Sequence, residues 1–170
     1  MRAGPIIVMG VCGCGKTTIG KALAARLEFP FIEGDALHPA ANVAKMSAGT
    51  PLIDEDRWPW LSEIGRQLRE ASGKDGAVAT CSSLKRAYRD KLRQEAGEDL
   101  RFVFLDCSRK GLEERMRLRQ GHFMPASLLA SQLATLESPN GERGVVTVNG
   151  DASHDEIIAE ALAKLGVEDV

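Results

Sequence analysis

Five short apolar runs mark this chain, at Ile6–Met9, Phe29–Ile32, Ala77–Cys81, Phe102–Leu105 and Val145–Val148. They are continuous rather than alternating, as strands buried on both faces are. Between them apolar residues recur at helical spacing: Ile19, Leu23 and Leu27, then Leu61, Ile64 and Leu68, then Ile157, Ala161 and Leu165. Strand and helix in alternation predict an α/β domain, a parallel sheet covered by helices on both faces with right-handed crossovers. Element ends are readable as well. Asp56 can cap the helix through Leu61 with Pro59 in its opening turn, where a missing N–H costs nothing, and Ser153-His154-Asp155-Glu156 has the form of a capping box. Gly73-Lys74-Asp75-Gly76 and Asn140-Gly141 mark turns. In such a sheet chemistry gathers beyond the carboxyl ends of the strands, where Gly10, Asp35, Ser82 and Asp106 follow apolar runs.

Composition narrows the partners. The 170 residues suit one domain, 1–170, and no repeat, low-complexity tract or linker divides them. Lys and Arg number 22 against 24 Asp and Glu, a net charge of −2 that argues against nucleic acid while leaving room for a local basic pocket. No apolar run approaches the ~20 residues that span a bilayer, and residues 1–15 lack a signal-like stretch, so no membrane is expected and the cytoplasm is the default compartment. Cys12, Cys14, Cys81 and Cys107 lack zinc-ribbon spacing and read as free thiols. Cys12-Gly13-Cys14 is C-x-C rather than the C-x-x-C of redox motifs, and small side chains tolerated in a tight loop account for it better.

The chemistry begins behind the first strand. Gly10-Val11-Cys12-Gly13-Cys14-Gly15-Lys16-Thr17 satisfies G-x-x-x-x-G-K-[ST] between Pro5-Ile6-Ile7-Val8-Met9 and a helical pattern. The glycines let successive N–H groups curl around an anion, Lys16 brings a point charge to the β- and γ-phosphates, and the Thr17 hydroxyl can ligate Mg²⁺. A nucleoside triphosphate is therefore expected on residues Gly10 to Thr18.

Four later segments bear on what receives the phosphate. Asp35, in Gly34-Asp35-Ala36-Leu37-His38-Pro39, is positioned to bind a sugar hydroxyl or to hold Mg²⁺ through water, or else caps the following segment. His38 divides between substrate contact and a turn role before Pro39. Asp54-Glu55-Asp56-Arg57-Trp58-Pro59-Trp60-Leu61 offers an Arg57 fork for a carboxylate or phosphate beside a Trp that excludes water; the alternative is a capped helix with core tryptophans and a locally paired Arg57. In Cys81-Ser82-Ser83-Leu84-Lys85-Arg86-Ala87-Tyr88-Arg89-Asp90, Ser82 or Ser83 can cap a helix on which Lys85 and Arg89, four apart, aim at one anionic group or form a solvated basic face. Arg109, Lys110, Arg115, Arg117 and Arg119 precede Gly121-His122-Phe123-Met124-Pro125. This reads as a lid around 115–126 that brings Arg115 and Arg119 to the phosphates, or as a merely solubilising helix.

Together these segments resemble the gluconate kinase family of small P-loop kinases, relatives of shikimate and nucleoside monophosphate kinases. The resemblance spans nearly the whole chain. It rests on the phosphate loop, Gly34-Asp35 with His38-Pro39, Asn42 with Lys45-Met46, Gly49-Thr50-Pro51-Leu52, Asp54, Asp56-Arg57, Pro59-Trp60-Leu61, Cys81-Ser82, Leu84-Lys85, Tyr88-Arg89-Asp90 and Gly121-His122-Phe123. It implies a three-layer fold with strand order 2-3-1-4-5 and a small lid, a homodimer, and ATP with Mg²⁺ acting on D-gluconate to give 6-phospho-D-gluconate. On it, Lys16, Asp35, Arg115 and Arg119 are catalytic, Thr17 and Asp35 hold the metal, and the acceptor meets Asp35, His38, Lys45, Arg57, Ser82, Lys85, Arg89 and His122. Cys12 and Cys14 stand where the family frequently has serine.

Overall fold

A computed structural model describes residues 3–118 and 126–167. Five strands, β1 (Gly4–Met9), β2 (Phe31–Ile32), β3 (Gly76–Thr80), β4 (Arg101–Asp106) and β5 (Val145–Asn149), form one sheet in the order β2-β3-β1-β4-β5. Every neighbouring pair is parallel, with Ile7 of the central strand opposite Ala79 on one side and Phe102 on the other. The helices are α1 (Lys16–Leu27), α2 (Ala40–Ser47), α3 (Asp54–Ser72), α4 (Arg86–Ala96), α5 (Arg109–Leu118), α6 (Ala126–Thr135) and α7 (His154–Leu165), with a 3₁₀ turn at Gly34–Leu37.

The two-residue period of the strands sorts the core into two layers. Ile6, Val8, Val103 and Leu105 face Ile19, Leu23 and Leu27 of α1 and Ile157, Ala161 and Leu165 of α7. Ile7, Met9, Ala77, Ala79, Phe102 and Phe104 face Leu61, Ile64 and Leu68 of α3 and Tyr88, Leu92 and Ala96 of α4. Both layers are dry and apolar, so the carboxyl edge of the sheet is where polar groups collect. Among the described residues no helix is long and apolar enough to cross a membrane.

Several element ends differ from the expected ones. Strand β2 begins at Phe31 because Glu28 turns left-handed (φ 57°) to close α1, and the Phe29 N–H is spent on the Ala24 carbonyl. Helix α3 starts at Asp54, so Asp56 is the third residue of its first turn rather than the N-cap, and accepts the Ile53 N–H at 3.0 Å. Pro59 then falls beyond the first turn and leaves the Glu55 carbonyl without its helical donor, contrary to the cost-free placement expected. Neither Ser82 nor Ser83 caps α4. Lys85 occupies the cap position, and the donor of Arg86 is met by Glu137 Oε1 at 2.9 Å. Ser153 does cap α7, accepting the Glu156 N–H at 3.2 Å.

Candidate active site

The phosphate loop joins β1 to α1 at the centre of the carboxyl edge. Gly15 (φ 91°) is the N-cap of α1; it has no side chain to cap the helix, and no acidic residue occupies the first turn. The opening N–H groups and the positive end of the helix dipole are thus left for an external anion. Lys16 Nζ rests on the carbonyls of Gly10 and Val11 at 3.0 and 3.1 Å. Burial opposes its charge, but the neighbouring Cys14 above all, with Asp35 further out, holds its pKa above the usual lysine range, so it is an ammonium.

Two acidic residues straddle Gly34 at the end of β2. Glu33 accepts the Thr17 hydroxyl at 2.7 Å through one oxygen and the Thr80 hydroxyl at 2.6 Å through the other, and Thr80 in turn accepts the Gly34 N–H at 3.1 Å. The sequence reading did not single out Glu33; its signal is the Glu-Gly-Asp spacing, one carboxylate on each side of a glycine. Asp35 is exposed, and its carboxylate makes no hydrogen bond among the described residues. It is close enough for Lys16 and His38 both to feel its charge. Thr17, Glu33 and Asp35 supply hard oxygens beside the phosphate cradle, a donor set that fits Mg²⁺, which keeps several waters and takes few carboxylates.

A second group of polar and aromatic side chains comes from α2, α3 and the start of α4. His38 stacks on Trp60 (4.0 Å between centroids, 14° between planes), and Asn42 Nδ2 lies 3.2 Å from its Nδ1. Burial lowers the His38 pKa and Arg57 lowers it further, against the pull of Asp35. Trp60 is a core residue that donates to the Gly34 carbonyl at 2.8 Å, whereas Trp58 is half-buried and meets Tyr88 edge-on at 5.7 Å. Lys45 binds Asp56 at 2.7 Å. Arg57 donates to the Leu52 carbonyl at 2.8 Å and lies 5.4 Å from the Tyr88 ring centre, with Lys85 at 5.6 Å from the same ring. Asp54, to which the sequence analysis gave no role, stands between these cations and the Tyr88 hydroxyl. Its pKa is lowered by the Tyr88 hydrogen bond and then by Lys85.

Other expected residues sit differently. Arg89 is fully buried and spends all five donors on the protein: the Ser83, Leu84 and Glu137 carbonyls and both oxygens of Glu142. With no donor to spare it cannot take an acceptor's carboxylate, and the expectation for it is corrected to that of a clamp on the 83–84 loop. Ser82 accepts the Gly10 N–H through its carbonyl at 3.3 Å, joining the ends of β3 and β1. Arg115 lies under the phosphate loop, donating to the Cys14 and Gly150 carbonyls at 2.8 and 2.5 Å. Arg119 and His122, with most of the expected lid, fall outside the described residues. From α6, Gln132 accepts the Cys12 N–H at 2.7 Å, a contact between distant segments that no local pattern announces. All four cysteines are free thiols. A hydrogen bond from Cys107, with Lys16, lowers the pKa of the Cys14 thiol against the effect of burial, while the same bond and burial push that of Cys107 up.

A parallel sheet in this order, with a phosphate loop behind its central strand and a cluster of cations one strand away, defines a P-loop phosphotransferase. A family model described as an AAA domain matches residues 6–124. A gluconokinase of Gluconobacter oxydans is 52% identical over 167 residues, covering 96% of this chain and 92% of its own. The thermosensitive gluconokinase of Escherichia coli is 45% identical, covering 91% and 82%. A crystal structure of a gluconokinase from Sinorhizobium meliloti superposes with a TM-score of 0.89 at 53% identity, over 98% of this chain and 94% of that one. The chain belongs to the gluconokinase family.

Proposed function

We propose that this chain transfers the γ-phosphoryl group of ATP to the 6-hydroxyl of D-gluconate, giving 6-phospho-D-gluconate and ADP. The observation that carries the reading is a pair of unlike half-sites: an uncapped α1 N-terminus with Lys16 suited to a polyphosphate, and a cluster of the cations Arg57 and Lys85 about Tyr88 suited to an organic acid. The family membership supports the same acceptor.

In this reading Lys16 leaves the loop carbonyls for the β- and γ-phosphates, and the loop N–H groups hold the remaining oxygens. Asp35 accepts a hydrogen bond from the 6-hydroxyl and takes its proton as the O6–phosphorus bond forms and the bond to the ADP oxygen breaks. Thr17, with Glu33 and Asp35 behind it, would hold Mg²⁺, which when bound neutralises phosphate charge. Arg57 and Lys85 bind the acceptor's carboxylate, with His38, Lys45 and Ser82 lining its approach. Arg115 steadies the phosphate loop, and a lid around 115–126 carrying Arg119 and His122 excludes water. A homodimer in the cytoplasm completes the proposal. Coupled ADP release with gluconate, shikimate, nucleoside monophosphates and neutral sugars tests it; release with gluconate alone is expected. Folded protein without gluconate-dependent release overturns it.

A further inference from the structure

Asp54 opens α3 at the rim of the acceptor pocket, and every contact recorded for its carboxylate falls on one oxygen. Oδ1 accepts the Tyr88 hydroxyl at 2.5 Å and lies 3.4 Å from Lys85 Nζ and 3.9 Å from the Arg57 guanidinium. Oδ2 takes no hydrogen bond among the described residues, and the side chain is 40% exposed. Tyr88 is fixed in turn. It is buried in the layer that α3 and α4 form on the sheet, with Trp58 edge-on to it and two cations, Arg57 and Lys85, 5.4 and 5.6 Å from its ring centre. A carboxylate held by one oxygen to the hydroxyl of a packed tyrosine presents the other with its lone pairs unspent.

The charge balance bears on what that oxygen meets. Arg57 and Lys85 without Asp54 would make a site of two positive charges, suited to any phosphate dianion. With Asp54 between them the pocket keeps a single net positive charge, which suits a monocarboxylate, and gains an acceptor that neither cation can supply. We propose that Asp54 is a specificity-determining residue of the acceptor pocket, its free oxygen accepting hydrogen bonds from the hydroxyls of a polyhydroxy monocarboxylic acid, with Tyr88 as its positioning residue. The inference rests on the function proposed above and extends it from the carboxylate to the polyol chain.

The test is steady-state kinetics of D54N and Y88F with gluconate, a set of singly deoxygenated gluconates, and inorganic phosphate as competitor. D54N keeps the shape of the side chain but not its charge. Its gluconate KM is expected to rise about 10-fold with the ATP KM within about 2-fold of wild type, and phosphate is expected to compete more strongly. Y88F is expected to move the gluconate KM the same way by less. The deoxy acceptor that lacks the hydroxyl read by Asp54 should bind wild type poorly and lose nothing more in D54N, a coupling that damage to folding does not produce. An unchanged gluconate KM in D54N, a lowered one (Asp54 merely occupying the acid's place), or equal losses on every deoxy acceptor overturns the inference alone. Wild-type enzyme without gluconate-dependent ADP release overturns the functional reading, and this inference with it.

Discussion

Asp35 is exposed and its carboxylate takes no hydrogen bond among the described residues, while Glu33, two residues earlier, is committed through both oxygens to Thr17 and Thr80. The division of labour follows: Glu33 steadies the Thr17 and Thr80 hydroxyls, and Asp35 is left to meet an incoming hydroxyl. Asp35→Asn is expected to lower kcat by about 10²–10⁴-fold, the range for a lost general base, with the ATP KM nearly unchanged. ADP-release kinetics at varied ATP check it, and near-wild-type turnover would remove Asp35 from the chemistry. His38 carries a pH consequence. Its folded-state pKa lies below the ordinary 6.5, so the folded protein binds fewer protons than the unfolded chain as the solution acidifies. Stability is therefore full above 6.5 and falls as pH drops through the lowered value. In H38Q the loss of unfolding midpoint between about pH 7.5 and 5 should shrink relative to wild type, by thermal melts at each pH. At this scale the phosphate loop was wholly legible, because eight contiguous residues make the whole cradle. Arg89 was not, since helical spacing says that it shares a face with Lys85 but not that the face turns toward Glu142, 53 positions later.

Elements cooperate through a few long-range contacts. Gln132 accepts the Cys12 N–H, so α6 is bonded to the phosphate loop 120 positions earlier in the chain. Removing this hydrogen bond in Q132A is expected to raise the ATP KM about 5-fold, the equivalent of about 1 kcal/mol, with the gluconate KM within about 2-fold. An equal rise for both substrates would make the contact a general support. Strand and helix identities were readable because strands buried on both faces stand out as unbroken apolar runs. Their ends were less so. The start of β2 is decided by a left-handed residue closing α1, and the cap of α4 by Glu137, contributed from beyond α6; neither is visible in the local pattern.

For the whole molecule, the Arg89–Glu142 pair is the main polar tie between the acceptor loop and the segment entering β5. Arg89 is fully buried and Glu142 is 7% exposed, with Arg93 sharing the same carboxylate at 3.1 Å. E142Q leaves the buried Arg89 without its counter-charge and Arg93 with Asp90 alone. It is expected to cost about 3 kcal/mol, and to lower the unfolding midpoint by about 6–12 °C in a domain of this size. Calorimetry checks this, and an unchanged midpoint would mean that the tie is dispensable. Strand order followed from the family resemblance, since periodicity alone does not say which parallel strand lies beside which. A last consequence concerns Gly34, which lies between Glu33 and Asp35 and packs against Thr80 at the end of β3. A Cβ there would sit 1.8 Å from the Thr80 carbonyl oxygen, a backbone atom that has no room to retreat. In a library of random variants selected for growth on the acceptor, position 34 should therefore admit one residue only, a constraint as tight as that at Lys16. A survey of tolerated substitutions would rank it among the catalytic positions, although it has no side chain to offer either substrate.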